Sequence, residues 1–286
     1  MIKIFTDTSA NLTAELIKKH NIGLISLSYS VNGTESEQTE IADFDGKAFY
    51  NAMRSGATVK TSMINTEAFL NSFKNELEKN NDIIYIGMSG GISGTVQAAQ
   101  NAADELKNEY PHRSIAVIDT FAASLGEGLL ALKAAKMNEG GISFKDIVNL
   151  ITELRHKMCQ FFTVDDLKYL KKGGRISATT AVVGTLLNIK PILKGDETGH
   201  IISCGRARGK RAALLTLAEH YEGLITDKKS DIGIAHADAE EDAAFLLSEL
   251  KKRGFKGKCT TVCYEPVTGA HVGPGTVALF FIGKHK

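Results

Sequence analysis

Asp82-Ile83-Ile84-Tyr85-Ile86-Gly87-Met88-Ser89-Gly90-Gly91-Ile92-Ser93-Gly94-Thr95-Val96-Gln97-Ala98-Ala99 reads as a buried strand, a loop of glycine and serine, and the start of a helix. Ile83 to Ile86 is apolar and β-favouring. Ser93 reads as the N-cap, and Val96, Ala99, Ala103 and Leu106 keep to one helical face. A glycine loop running into a helix leaves several backbone N–H groups pointing the same way. Those donors and the helix dipole favour an anion such as a carboxylate or a phosphate. The same letters also suit a tight strand-to-helix connection that binds nothing.

Outward from this stretch, the first half of the chain alternates strand and helix. Strands are expected at Ile2 to Phe5, Ile22 to Val31 (closed by the turn signal Asn32-Gly33) and Ser114 to Ile118. Helices are expected at Ala14 to Lys19, Phe44 to Ser55, from Thr66 through Leu77, Thr120 to Asn138, and Phe144 to Met158. Val59 to Asn65 is a short extended piece carrying the hydroxyls of Thr61 and Ser62. Such alternation implies a mainly parallel sheet with helices on both faces, in residues 1–158. Ligands sit beyond the carboxyl ends of such strands, where Asp7, Ser89 and Asp119 fall. Residues 159–286 change character. Hairpin-like strands and interspersed helices, including an unusually apolar one from Ala178 to Leu187 capped by Ser177, predict an α+β domain with a mixed or antiparallel sheet. Gly269 to Gly275 reads as a loop presenting His271.

Composition excludes several classes. A formal net charge of +1 over 286 residues gives no nucleic-acid footprint. No window has the twenty or so apolar residues of a spanning helix, and the N-terminus reads as a strand rather than a signal peptide. The four cysteines, Cys159, Cys204, Cys259 and Cys263, form no C-x-x-C pair and read as reduced thiols, so a cytoplasmic location is expected. The glycine loop lacks the lysine of a P-loop, and no G-x-G-x-x-G is present, so neither nucleotide fingerprint applies.

Gly87-Met88-Ser89-Gly90-Gly91 does match the G-x-S-x-G elbow of serine esterases, with Asp238 and His271 as later partners. Against it, the helix is expected near Ser93 instead of directly after Ser89, and too few strands precede the serine. His236-Ala237-Asp238 has no third ligand nearby for a metal. Asp165-Asp166 reads as a helix N-terminal charge pair, and Asp7 and Asp119 as loop caps. Arg175, Arg206, Arg208, Lys210 and Arg211 form basic clusters that suit either a solvated face or phosphate contacts.

Thr6 through Leu12, Thr61-Ser62, Ser89 through Thr95, Asp119, Asp166 through Ser177, Asn188 through Leu193 and His271-Val272-Gly273-Pro274-Gly275 together resemble the DegV family. Its members include the fatty-acid-binding subunits of bacterial fatty acid kinase. The resemblance implies a two-domain α/β protein that buries a long-chain fatty acid, has no cofactor, and performs no chemistry alone. A separate kinase subunit would convert the presented carboxylate to an acyl phosphate for lipid synthesis. By motif match, Thr61, Ser62 and Ser93 supply hydroxyls, Gly94 and Thr95 backbone N–H groups, and His271 lies close by. Arg175 with Arg206 or Arg208 would face the kinase. Two places depart from the family pattern: Met63-Ile64-Asn65 stands where glutamine and proline are usual, and Gly90-Gly91 where a second serine is common.

The chemistry agrees. A carboxylate only accepts hydrogen bonds, and the three segments expected to meet it contain no lysine or arginine, so neutral donors are expected to hold it. Affinity must then come from the tail: at about 0.8 kcal/mol per buried CH₂, about fifteen carbons offer ~12 kcal/mol before the costs of ordering and association. An apolar tunnel is required, with Val182, Val183, Leu186 and Leu187 as its expected wall. The alternatives are the Ser89 esterase and a small-molecule sensor or phosphotransferase on the same scaffold.

Overall fold

The computed structural model describes residues 1–37, 44–176 and 188–286. The apolar helix expected from Ala178 to Leu187, its cap Ser177 and the tunnel wall placed on it lie outside the described residues. In chain order the first elements are β1 (Ile2–Asp7), a short 3-10 turn (Thr8–Ala10), α1 (Ala14–Lys19), β2 (Gly23–Ile25), β3 (Ser28–Val31), β4 (Thr34–Glu37), α2 (Gly46–Arg54) and β5 (Val59–Ser62). Next come α3 (Thr66–Leu77), β6 (Asp82–Gly87), α4 (Thr95–Glu109), β7 (Ile115–Asp119), α5 (Leu125–Glu139), α6 (Phe144–Leu154), β8 (Met158–Thr163) and α7 (Lys168–Lys172). The remainder is β9 (Ile189–Gly195), β10 (Ile201–Arg208), α8 (Lys210–Leu224), β11 (Ile232–His236), α9 (Glu240–Lys252), β12 (Cys259–Cys263), α10 (Pro266–Val272) and β13 (Val277–Ile282).

The expected fold class holds. A four-stranded sheet in the order β2-β1-β6-β7 is parallel throughout. A six-stranded sheet, β10-β9-β8-β13-β11-β12, is antiparallel except for β11–β12. The segment expected as one strand from Ile22 to Val31 is broken in two. β2 joins the parallel sheet, while β3 turns away into a three-stranded sheet, β4-β3-β5, through the Asn32-Gly33 turn. Both turn residues have positive φ (51° and 88°), the conformation a two-residue hairpin loop needs.

Helix α5 lies between the two large sheets, touching β1 and β6 on one side and β8, β11 and β13 on the other. This explains its alanine- and leucine-rich sequence: a helix apolar all round is one buried all round. It starts later than the expected Thr120, because Phe121 and Ser124 take left-handed φ values of 51° and 52°. One core cluster accordingly joins Ile4, Ile84 and Ile118 of the parallel sheet to Phe162, Ala235 and Phe280 of the mixed one.

Glu127 is the exception on that buried helix. It is fully buried, with Oε1 2.8 Å from Thr6 Oγ1 and Oε2 2.9 Å from Ser9 Oγ. Thr6 Oγ1 is also 2.8 Å from the Ile86 carbonyl, and Ser9 Oγ also contacts Asp7 Oδ1. Each hydroxyl has one proton for two acceptors, so a proton on Glu127 completes the network. Asp7, which also accepts from the Ser9 N–H and the Tyr85 hydroxyl, carries the charge. Burial raises the pKa of both acids, and the Asp7 charge raises that of Glu127 further. With folded values above unfolded ones, this stabilisation is complete below the unfolded carboxyl pKa and is lost as pH rises through the folded values. Glu127→Gln is therefore expected to flatten the fall in melting temperature as pH rises above the ordinary carboxyl range; parallel wild-type and variant melting curves would refute the shared proton.

Candidate ligand-binding site

Strand alternation on β5 half-buries Thr61 and leaves Lys60 and Ser62 exposed. The Thr61 hydroxyl lies 2.8 Å from His271 Nε2. His271 was expected in a loop; it sits in the last turn of α10. Pro266 opens that helix, the Glu265 side chain caps the N–H groups of Val267 and Thr268, and Gly273 at φ 79° closes it. Burial, then the neighbouring Arg175, lowers the His271 pKa to about 4, so its ring is neutral near pH 7. Gly173 backs the ring: a Cβ there would stand 2.3 Å from His271 Nδ1. Gly173 itself has helical φ (−74°), so alanine suits its backbone and the clash falls on the imidazole. Gly173→Ala is expected to keep the fold and weaken ligand binding about tenfold, the value of one polar bond to a charged group. Calorimetric titration beside a melting curve checks both halves.

Ser93 is not the N-cap. The Ser89 carbonyl accepts from both Ile92 N and Ser93 N, and this turn carries the chain one residue further, so that Gly94 caps α4. Ser93 Oγ lies 2.9 Å from Thr95 Oγ1 and accepts from the Thr95 N–H at 3.3 Å. Thr95 is buried and orients Ser93 instead of lining the site itself.

Thr61, Ser62, Ser93, Gly94 and His271 all line one cavity of about 280 Å³. Its apolar wall includes Phe162 and Phe280 of the mixed sheet, Leu170 and Val272 of α7 and α10, and Leu27 and Met88 from the segments that follow β2 and β6. Gln160, held by Phe121 O and Ala123 N, and Tyr264 line it without any signal in the sequence, and Met63, noted there as a departure from the family pattern, lines it too. Met63 is 56% exposed, and its sulfur lies 2.7 Å from where a Cβ on Gly94 would be.

Arg175 corrects the expectation of neutral donors alone. It was read as facing a partner, but it lines this cavity as well as an outer groove of about 620 Å³. Its Nε donates to Ile92 O at 3.0 Å and its NH1 to Gly173 O at 2.5 Å. Thr61, Arg175 and His271 are common to cavity and groove, and the groove adds Arg54, Lys60, Lys168 and Lys172. Arg206 and Arg208 are exposed on β10, the edge strand of the mixed sheet, away from both.

The partners of the esterase arrangement lie apart. Ser89 is buried, donating to Gly199 O at 3.1 Å and accepting from Gly91 N. His271 bonds Thr61, and Asp238 pairs with Arg54. His236 Nδ1 accepts from Ala239 N, and among the described residues no group of three or more His, Cys, Asp or Glu is arranged to hold a metal. Asp119 caps its loop as expected, through Gly90 N and Phe121 N. Asp165 instead pairs across the fold with Lys190 (2.7 Å) and Lys210 (2.8 Å). Among the described residues, no helix is long and apolar enough to cross a membrane.

A family model described as "Uncharacterised protein, DegV family" matches residues 1–284. The chain is 36% identical over 285 residues to the DegV domain-containing protein CPE0026 of Clostridium perfringens, covering 99% of this chain and 98% of that one. Among solved structures, a DegV family protein from Thermus thermophilus, described for its fatty acid binding, is 30% identical with a TM-score of 0.87 over 98% of each chain. The fatty acid binding DegV family protein SAG1342 from Streptococcus agalactiae is 29% identical with a TM-score of 0.87, over 100% of this chain and 99% of that one.

Proposed function

Because the chain belongs to the DegV family, we propose that it holds a long-chain fatty acid and presents the carboxylate to a separate kinase in the cytoplasm. The observation that carries this reading is the cavity's division of labour. A mainly apolar interior ends at Thr61, Ser93, His271 and Arg175, and three of these, Thr61, Arg175 and His271, also line the basic groove outside. The tail lies inside, where each buried CH₂ contributes about 0.8 kcal/mol. The carboxylate takes hydrogen bonds from the Thr61 and Ser93 hydroxyls, with Ser62 and the Gly94 N–H at the rim and the Arg175 charge beside it; Thr95, whose N–H is taken up by Ser93 Oγ, acts by holding that serine. Residues 1–158 carry the Thr61 and Ser93 segments, and residues 159–286 bring Arg175 and His271 to them.

The chain binds; the kinase supplies the nucleotide. A carboxylate oxygen attacks the terminal phosphorus of a nucleoside triphosphate, the bond from phosphorus to the leaving oxygen breaks, and acyl phosphate and nucleoside diphosphate result. Arg206 and Arg208, exposed on an edge strand, suit the docking face. Mass spectrometry of solvent extracts from gently purified protein should find a long-chain fatty acid at close to one per chain; protein that stays empty and takes up none from a fatty acid solution would overturn the reading. Incubation of the chain alone with labelled ATP should give no acyl phosphate, and turnover without a second protein would reject the division of roles.

A further inference from the structure

Not all of the cavity's interior is apolar. Apart from the groups that meet the carboxylate, its lining carries Ser124, Gln160, Tyr264 and Thr268, none of which lines the outer groove. Two of these serve the fold. Ser124 Oγ donates to Asn11 Oδ1 at 3.2 Å, and the Gln160 amide is held by Phe121 O and Ala123 N. The other two are spare. Thr268 Oγ1 is buried and makes no hydrogen bond. Tyr264 accepts the Tyr50 hydroxyl on its carbonyl at 2.8 Å, but its own hydroxyl meets no partner among the described residues. Thr163 Oγ1 and the Tyr221 hydroxyl are also without partners, yet they line neither cavity nor groove. Buried hydroxyls are nearly always paired, and leaving one unpaired is costly. A purely hydrocarbon tail would leave both of these so.

We propose that the cavity selects a long-chain acid that carries a hydroxyl on its chain, received by Tyr264 and Thr268. The proposal rests on the fatty acid reading above and narrows it to an oxygenated tail. Burial, then the Glu265 charge, raises the Tyr264 pKa, so the phenol keeps its proton and is a donor near pH 7. The Thr268 hydroxyl both donates and accepts. Between them they offer the donor and the acceptor that one chain hydroxyl needs. Thr268 precedes His271 by three residues on α10, close to one turn and about 4.5 Å along the axis. The oxygen therefore belongs well along the chain and not beside the carboxylate. A site built to pair a hydroxyl rejects the analogue that lacks it, whereas an apolar wall resolves chain length only weakly. Selection here would act on oxygenation of the tail before its length.

Hexadecanoate is titrated beside hexadecanoates hydroxylated at the second, fifth, eighth or eleventh carbon. The wild-type chain, Thr268→Val, Tyr264→Phe and the conservative Thr268→Ser are compared. At least one acid hydroxylated at the fifth, eighth or eleventh carbon is expected to bind the wild-type chain about tenfold tighter than hexadecanoate, and the second-carbon acid no tighter. Thr268→Val and Tyr264→Phe should each weaken the preferred acid about fivefold and tighten hexadecanoate about twofold, because the wall no longer holds an unpaired hydroxyl against the tail. Thr268→Ser should keep the preference. No preference in the wild-type chain, a preference that survives both Thr268→Val and Tyr264→Phe, or equal losses of both ligands in those variants would overturn the proposal. An advantage as large for the second-carbon acid would place the oxygen at the head group and would also reject it. Failure of every acid to bind would instead remove the fatty acid reading beneath it.

Discussion

The double variant Thr61→Ala, Ser93→Ala is expected to lose fatty acid affinity by at least about a hundredfold, at the low end of two bonds worth roughly 1.5–3 kcal/mol each to a charged acceptor. Two features set the size. Thr61 and Ser93 are half-buried, so water replaces the lost donors only in part. The Thr61 hydroxyl also leans on His271 Nε2 at 2.8 Å. With His271 neutral, its N–H can donate to Thr61 while Thr61 donates onward, and removing the threonine leaves a half-buried imidazole without its partner. The two losses are not independent, because both groups serve one carboxylate, so the double variant should fall short of the product of the singles. Displacement of a fluorescent fatty acid measures it, with a melting curve confirming that the fold survives. Wild-type affinity in the double variant would place the head group elsewhere.

Gly199→Val should cost roughly 3 kcal/mol of stability, adding ~1–2 for left-handed backbone to ~1–3 for overpacking. For a chain of this size that is about 6–12 °C in melting temperature. Gly199 has φ 81°, and a Cβ there would lie 1.9 Å from Ser89 Oγ and 2.9 Å from the Phe121 Cα. Those neighbours are fixed. Ser89 donates to the Gly199 carbonyl, and Phe121 is itself left-handed. Gly33 provides the comparison, since its φ is 88° but nothing lies within 4 Å of its Cβ position. Gly33→Val should therefore show the backbone cost alone, about 1–2 kcal/mol. Equal losses at the two positions would mean that the contact of three backbone segments beneath the cavity contributes nothing.

The parallel sheet was legible because a strand buried on both faces leaves a run such as Ile83 to Ile86, and the turn after β3 because Asn32-Gly33 is a turn with a mechanism, though not the strand β4 beyond it. Helix α10 was not. Gly269, Gly273 and Gly275 look like a loop, yet Gly269 is glycine for packing: its Cβ would stand 2.1 Å from the Tyr50 hydroxyl, 219 residues earlier in the chain. Long-range contact of that kind leaves no local pattern. The same holds for Arg175, whose motif suggested a surface role. Its place in the cavity wall depends on the turn at Gly174 (φ 73°) and on the Ile92 carbonyl. Of the candidate site, Thr61, Ser93 and His271 were singled out through family likeness; the fold lines one cavity with all three.

The bond between Thr61 and His271 spans 210 residues. Closing so long a loop carries an entropic cost that only the packed chain repays. During synthesis, the threonine and serine of the site leave the ribosome long before the histidine does. At about 5–20 residues per second, that interval is roughly 10–40 s. Throughout it the half-formed cavity has no imidazole behind Thr61 and lacks the β13 wall at Phe280. Ligand capture therefore belongs to the finished chain, and a bound acid stabilises only that state, by mass action.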